Sequence, residues 1–165
     1  MASREEATVE QGVRATGAIY GTILVTALVA GLSEDPDYTS RDILESVLVT
    51  AAVFWLAHVY ARVLGERVGG DERGARALTR AAMVEEWPLL QAAALPCAAL
   101  LLAVAGLFSR NTGVNLAIGL GVASLFVFGF LFARRLHRPI VGALLTGGIN
   151  ALAGLVIIVL KLLID

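Results

Sequence analysis

Five apolar runs of about 20 residues each, set apart by short blocks that collect the charges, constrain this chain more than any other feature, because about 20 helical residues cross a hydrocarbon core of about 30 Å. The runs extend from Val13 to Leu32, Ile43 to Leu64, Trp87 to Phe108, Val114 to Ala133 and Pro139 to Leu163. None shows the ten-residue alternation of a barrel strand, and within lipid a helix satisfies its own backbone polar groups. The pattern predicts an all-α integral membrane protein, a bundle of five transmembrane helices in one domain over residues 1–165. A chain that is 58% hydrophobic and 16% charged lies outside the ordinary range of soluble domains, which agrees.

The connections sharpen the topology. The segments "SEDPDYTSR" and "SRNTG" are short, polar and rich in turn formers, so they read as tight loops between antiparallel neighbours. Residues 65–86 form a longer connection in which a Gly-Gly-Asp turn leads into a possible interfacial amphipathic helix. With the N-terminus cytoplasmic, Arg4, Arg14, Arg62, Arg67, Arg73, Arg76, Arg80, Arg134, Arg135 and Arg138 lie inside, against Arg41, Arg110 and Lys161 outside. That asymmetry is the positive-inside bias and sets the expected orientation. The N-terminal segment carries Glu5, Glu6 and Glu10 in place of a basic n-region, so the first run reads as a retained helix. The dominance of arginine over the single Lys161 suggests a high-GC bacterium and hence its plasma membrane.

Polar residues at membrane depth are expensive and mark function by default. His58 stands inside the second run, with Arg62 one turn further on the same face. His58 reads either as a proton relay or constriction of an ion path, or as a neutral imidazole bridging two helices, while Arg62 can snorkel to the headgroups. Asp42 and Glu45, three apart beside Glu34, Asp35 and Asp37, could form a cation-attracting mouth in an oligomer. Acids in a first helical turn also simply favour the helix dipole. In the last run Thr146, Asn150 and Gly154 follow at intervals of four and Gly147 lies alongside, which reads as helix packing or as pore lining. Gly17 and Gly21 allow close helix contact in the first run, and Thr22 and Thr26 add a polar pair there. Pro96 removes a backbone donor from the third run and predicts a kink. Arg134, Arg135 and Arg138 cluster at a span end, where anionic lipid headgroups at the cytoplasmic face are the natural partners.

The chain lacks HExxH, GxSxG, P-loop and Rossmann glycine patterns, so no catalytic residue, metal ligand or cofactor is expected. The single Cys97 forbids an intrachain disulfide, and the basic cluster has no nucleic-acid reading module behind it.

Two stretches resemble the bacterial relatives of the endolysosomal potassium channel family. "RATGAIYGTILVT" keeps Arg14 and Gly21, but Ala18, Ile19 and Tyr20 stand where the family has Phe, Ser and Asp, so the signature itself is absent. "VFWLAHVYARVL" is similar to the family's Phe-Trp-Leu-Asn-His pattern at Phe54, Trp55, Leu56 and His58, with Ala57 in place of Asn. The resemblance covers two of the five runs. It implies an oligomeric channel with the first helices around the pore, Ile19 and Ile23 near a hydrophobic constriction, and His58 with Trp55 holding the first two helices together. The resulting expectation is a homo-oligomeric cation or proton channel; the alternatives are an accessory or scaffold protein binding lipids or a partner membrane protein, and a small-solute transporter.

Overall fold

The computed structural model describes the backbone of residues 2–164 and the side chains of residues 16–156, 158, 159 and 163. Arg4, Arg14 and Lys161, which enter the charge asymmetry, lie outside the described side chains. The described residues form helices without strands: α1 (Ala2–Glu34), α2 (Ser40–Val68), α3 (Ala75–Glu85), α4 (Trp87–Ala92), α5 (Ala94–Val104), α6 (Arg110–Arg135) and α7 (Ile140–Ile164). Thr16–Glu34, Ser40–Val68 and Arg110–Arg135 are long and apolar enough to cross a membrane. The Ala75–Ala92 segment and α5, bent by 48° to one another, make a fourth crossing if taken as one broken span, and α7 adds the shorter apolar stretch Ile140–Val156.

The expected kink in the third run is a break at Ala93. Pro96 offers no N–H to the Ala92 carbonyl four residues back and its ring crowds that oxygen, so the helix interrupts there and restarts as α5. Other helix ends have equally local causes. Thr39 caps α2 in a reciprocal capping box: Asp42 N–H donates to Thr39 Oγ1 at 3.3 Å and Thr39 N–H donates to Asp42 Oδ2 at 2.8 Å. Ser109 caps α6 through the Thr112 N–H at 3.2 Å. Helices α2, α5 and α6 end in the paired bonds of a Schellman motif, with Gly70, Gly106 and His137 at the left-handed position. His137, at φ 56°, occupies a conformation that glycine adopts without cost.

Helix α1 packs against α2, α4, α6 and α7, and α6 packs against α5 and α7 as well, so these two helices form the centre of the bundle. The core lies where α1, α2, α5 and α6 meet, around Val29, Ile43, Val47, Leu100 and Ala117, all fully buried. Around it the close crossings use small residues. Gly121 of α6 sits over the side chain of Thr26 on α1, and a Cβ at Gly21 would come within 2.8 Å of the Leu89 carbonyl oxygen of α4. Both Thr22 and Thr26 are buried and return their hydroxyls to α1, donating to the Ala18 and Thr22 carbonyls at 2.8 and 2.6 Å.

The outer walls are apolar. Leu48, Val53, Leu56, Tyr60 and Leu64 of α2 are each more than half exposed, as are Leu145, Ile149 and Leu152 of α7. Soluble monomers rarely show contiguous apolar surface on that scale, and together with the long apolar helices it suggests a membrane protein. The two ends differ in charge. The α1–α2 loop and the start of α2 carry Glu34, Asp35, Asp37, Asp42 and Glu45 beside Arg41 and Arg110, whereas Arg62, Arg67, Arg73, Arg76, Arg80, Arg134, Arg135 and Arg138 gather at the opposite end.

Candidate functional site

His58 lies on a flank of the molecule between α1 and α2. Its Nδ1 is 2.9 Å from the Phe54 carbonyl oxygen one turn back. A carbonyl only accepts, so Nδ1 carries the proton in this contact and the Nε2 of the neutral ring is an acceptor. The imidazole stands 5.8 Å from the Tyr20 ring of α1 and 6.4 Å from that of Phe54, centroid to centroid. The Tyr20 and His58 rings belong to an open cleft of about 380 Å³ lined by Thr16, Gly17, Tyr20, His58, Arg62 and Glu86.

At the mouth of this cleft, Arg62 forms an ion-pair fork. Its Nε donates to Glu86 Oε1 at 2.7 Å and its Nη1 lies 2.7 Å from Glu85 Oε2. Sequence reasoning sent Arg62 toward headgroups; instead its side chain is 24% exposed and bound to the α3–α4 junction, where the Glu86 side chain is 10% exposed. The reason is tertiary: α3 folds back on α2 with Leu78 and Ala82 buried, which brings two carboxylates to the guanidinium. Charge-assisted bonds of this fork geometry suit arginine and not lysine. Glu85 and Glu86 were missed because, in sequence, they are acids at the edge of an apolar run with no visible partner. A smaller network continues outward, with Arg73 bound to Asp71 at 2.7 Å and to Glu66 at 3.4 Å. The hydrogen bonds from Arg73 hold the Asp71 carboxyl below its ordinary pKa.

The other sequence candidates lie elsewhere. Asp42 is the capping-box acid of α2 and Glu45 pairs with Arg41 at 2.7 Å one turn on, both at the exposed acidic end, where they line a shallow depression with Asp37, Tyr38 and Ser46. Thr146 and Asn150 lie on α7, which packs on α6 and α1. Thr146 donates to the Gly142 carbonyl at 2.8 Å, and the Asn150 amide lies against Gly129 of α6. His58, Asn150, Thr146, Asp42 and Glu45 therefore line no common cleft.

Among the glycines singled out, Gly21, Gly147 and Gly154 lie at close helix crossings, Gly147 with Phe126 and Gly154 with Leu125. A Cβ at Gly17 would meet nothing within 4 Å, since this residue faces the cleft. Trp55 packs edge-on against Trp87 of α4, with centroids 6.2 Å apart, and its indole nitrogen is buried without a hydrogen-bond acceptor among the described residues. Ile19 and Ile23 are half-buried on α1. Arg134, Arg135 and Arg138 are exposed at the α6–α7 turn, where Arg134 Nη1 donates to the Arg138 carbonyl at 3.1 Å.

Sequence reasoning also missed Arg110. Its guanidinium donates to the carbonyls of Ser33, Asp35 and Tyr38 at 3.0, 2.8 and 2.7 Å, which ties the end of α1 and the α1–α2 loop to the start of α6. No three His, Cys, Asp or Glu residues converge as metal ligands among the described residues. No family model matches the chain, and neither a curated protein nor a solved structure is significantly similar to it.

Proposed function

We propose that this chain crosses the plasma membrane of a bacterium five times, through α1, α2, the bent α4–α5 pair, α6 and α7, with its N-terminus cytoplasmic. It acts as a non-catalytic homo-oligomer that conducts cations or protons passively beside α1 and α2. The observation that carries this reading is the position of the ionisable groups. The core between α1, α2, α5 and α6 is apolar, whereas His58, Arg62 and Glu86 line an open cleft on the α1–α2 flank. A path that uses them runs along that flank, between copies, and not through the middle of one chain. The resemblance of α1 and α2 to a channel family supports the same reading, and the basic end, with Arg134, Arg135 and Arg138, suits anionic headgroups of the cytoplasmic leaflet.

The test is flux in proteoliposomes loaded with a pH-sensitive or potassium-sensitive dye, with the native chain compared with His58→Ala. Flux above that of empty liposomes, reduced several-fold by the substitution, is the expected result. Flux at the level of empty liposomes overturns the proposal.

One observation favours a second reading, an accessory protein that acts by binding other membrane components. Asn150, the most central polar residue of α7, has its amide packed against Gly129 of α6. Silent liposomes containing a folded, stably associated oligomer would select this reading.

A further inference from the structure

A second groove, which shares no lining residue with the His58 cleft, is not used by the proposed path. It measures about 510 Å³ and is lined by Trp55, Met83, Val84, Trp87, Pro88 and Gln91, contributed by α2, α3 and α4. That volume is within the range of about 300–1,000 Å³ typical of small-molecule sites. Its walls are apolar, with Val84 58% and Trp87 50% exposed.

The residues leading into the groove are charged. Arg76, Arg80, Met83 and Val84 follow at helical spacing of four, three and one, so they fall on one face of α3, and all four are exposed. The opposite face, Leu78 and Ala82, is buried against the bundle. The exposed stripe thus passes from two guanidiniums to an apolar trough within about 12 Å along the helix. Neither Arg76 nor Arg80 forms an ion pair with a carboxylate among the described residues, unlike Arg62 and Arg73 nearby. Behind the wall of the trough the Trp55 Nε1–H is covered by protein and has no acceptor among the described residues.

We infer that this groove holds one acyl chain of an anionic phospholipid from the leaflet at the basic end, with the headgroup phosphate at Arg76 and Arg80. The match is one of charge and shape together: a cationic pair at the level of α3 for the phosphate, an apolar trough beneath it for the chain, and tryptophans at the depth where their amphipathic rings meet the glycerol region. The inference requires the chain to sit in a bilayer and is independent of conduction.

The chain has two tryptophans, Trp55 and Trp87, and both line the groove, so intrinsic fluorescence reads its occupancy directly. The purified protein is reconstituted in phosphatidylcholine vesicles containing increasing fractions of brominated phosphatidylglycerol or, separately, brominated phosphatidylcholine, whose bromines quench tryptophan on contact. Half-maximal quenching is expected at a several-fold lower fraction of the anionic lipid. In an Arg76→Gln, Arg80→Gln double variant the two curves are expected to converge, with the phosphatidylcholine curve unchanged as the control for folding. Coincident curves in the native protein, or a preference that survives the double substitution, overturn the inference. Neither readout depends on ion flux, so its failure is distinguishable from failure of the channel proposal.

Discussion

Arg62 Nε donates to Glu86 Oε1 at 2.7 Å across 24 residues of sequence, and through this bond and its partner to Glu85 the end of α2 is fastened to the α3–α4 junction. The Glu86 side chain is only 10% exposed and that of Glu85 31%. Removing Arg62 takes the shared cationic partner from both carboxylates.

Arg62→Gln is accordingly expected to destabilise the fold by about 2–4 kcal/mol, the scale for orphaning one partner of a largely buried pair. The Arg62→Gln, Glu86→Gln double variant should recover at least about 1 kcal/mol of that loss, since the more deeply buried of the two stranded carboxylates is then neutral and Glu85 is the more exposed one. Denaturation in mixed micelles, run as a double-mutant cycle, measures both quantities. Additive losses would show that the pair is energetically idle.

The α6–α7 crossing makes a sharper steric prediction. A Cβ on Gly147 would lie 2.8 Å from the Phe126 backbone oxygen, whereas one on the adjacent Gly148 meets nothing within 4 Å. Gly147→Ala is expected to cost about 1–3 kcal/mol, as overpacking against backbone does, and Gly148→Ala to change stability by less than about 0.5 kcal/mol. Thermal unfolding of the two variants side by side is the check.

Arg110 supplies three charge-assisted hydrogen bonds to carbonyls at the end of α1, where the helix dipole also favours a cation. Arg110→Ala should lower stability by about 1.5–3 kcal/mol, the scale for hydrogen bonds to a charged group. The loop over residues 35–39 should then exchange its amide hydrogens at least tenfold faster. Arg110→Lys should recover only part of the protection, because one ammonium cannot span three carbonyls set around a planar fork. Hydrogen exchange by mass spectrometry resolves the loop.

Acid should loosen the α2–α3 loop in a defined direction. Asp71 accepts from the Arg73 backbone N–H at 2.9 Å and from its side chain at 2.8 Å, and these bonds lower its pKa below 3.8. A carboxyl depressed in the folded state contributes stability that is present above the unfolded pKa and lost as the pH falls through the folded value. Carboxyl carbon chemical shifts should therefore show Asp71 titrating below 3.8, and Arg73→Ala should raise it part of the way back, because the alanine keeps the backbone N–H bond. A titration of Asp71 at the ordinary value in the native chain would exclude the interaction.

The helical class and the positions of the apolar segments follow from the sequence because both rest on local physics: an apolar run of sufficient length, a helix that satisfies its own backbone, and a proline that withholds one donor. Pro96 and the break at Ala93 illustrate this, since cause and effect lie within one turn. Thr39 and Asp42 do the same for the start of α2, where a spacing of three from Thr39 makes Asp42 the capping-box acid and a spacing of four from Arg41 lets Glu45 meet it.

Partners distant along the chain were decided by the tertiary structure alone. Nothing around Arg62 or Arg110 in sequence names Glu86 or the Ser33 carbonyl, because an ion pair or a clamp between helices depends on how α3 folds back on α2 and how α6 starts beside the end of α1. The same applies to His58. Its residue type and place in an apolar run could be read directly, but whether it faces a core or a cleft depends on how α2 is rotated against α1, which tertiary packing decides and the hydropathy of either helix does not. In an apolar solvent every face of such a helix is acceptable to its surroundings, so the pattern of hydrophobic residues no longer encodes which side turns inward, and packing settles it.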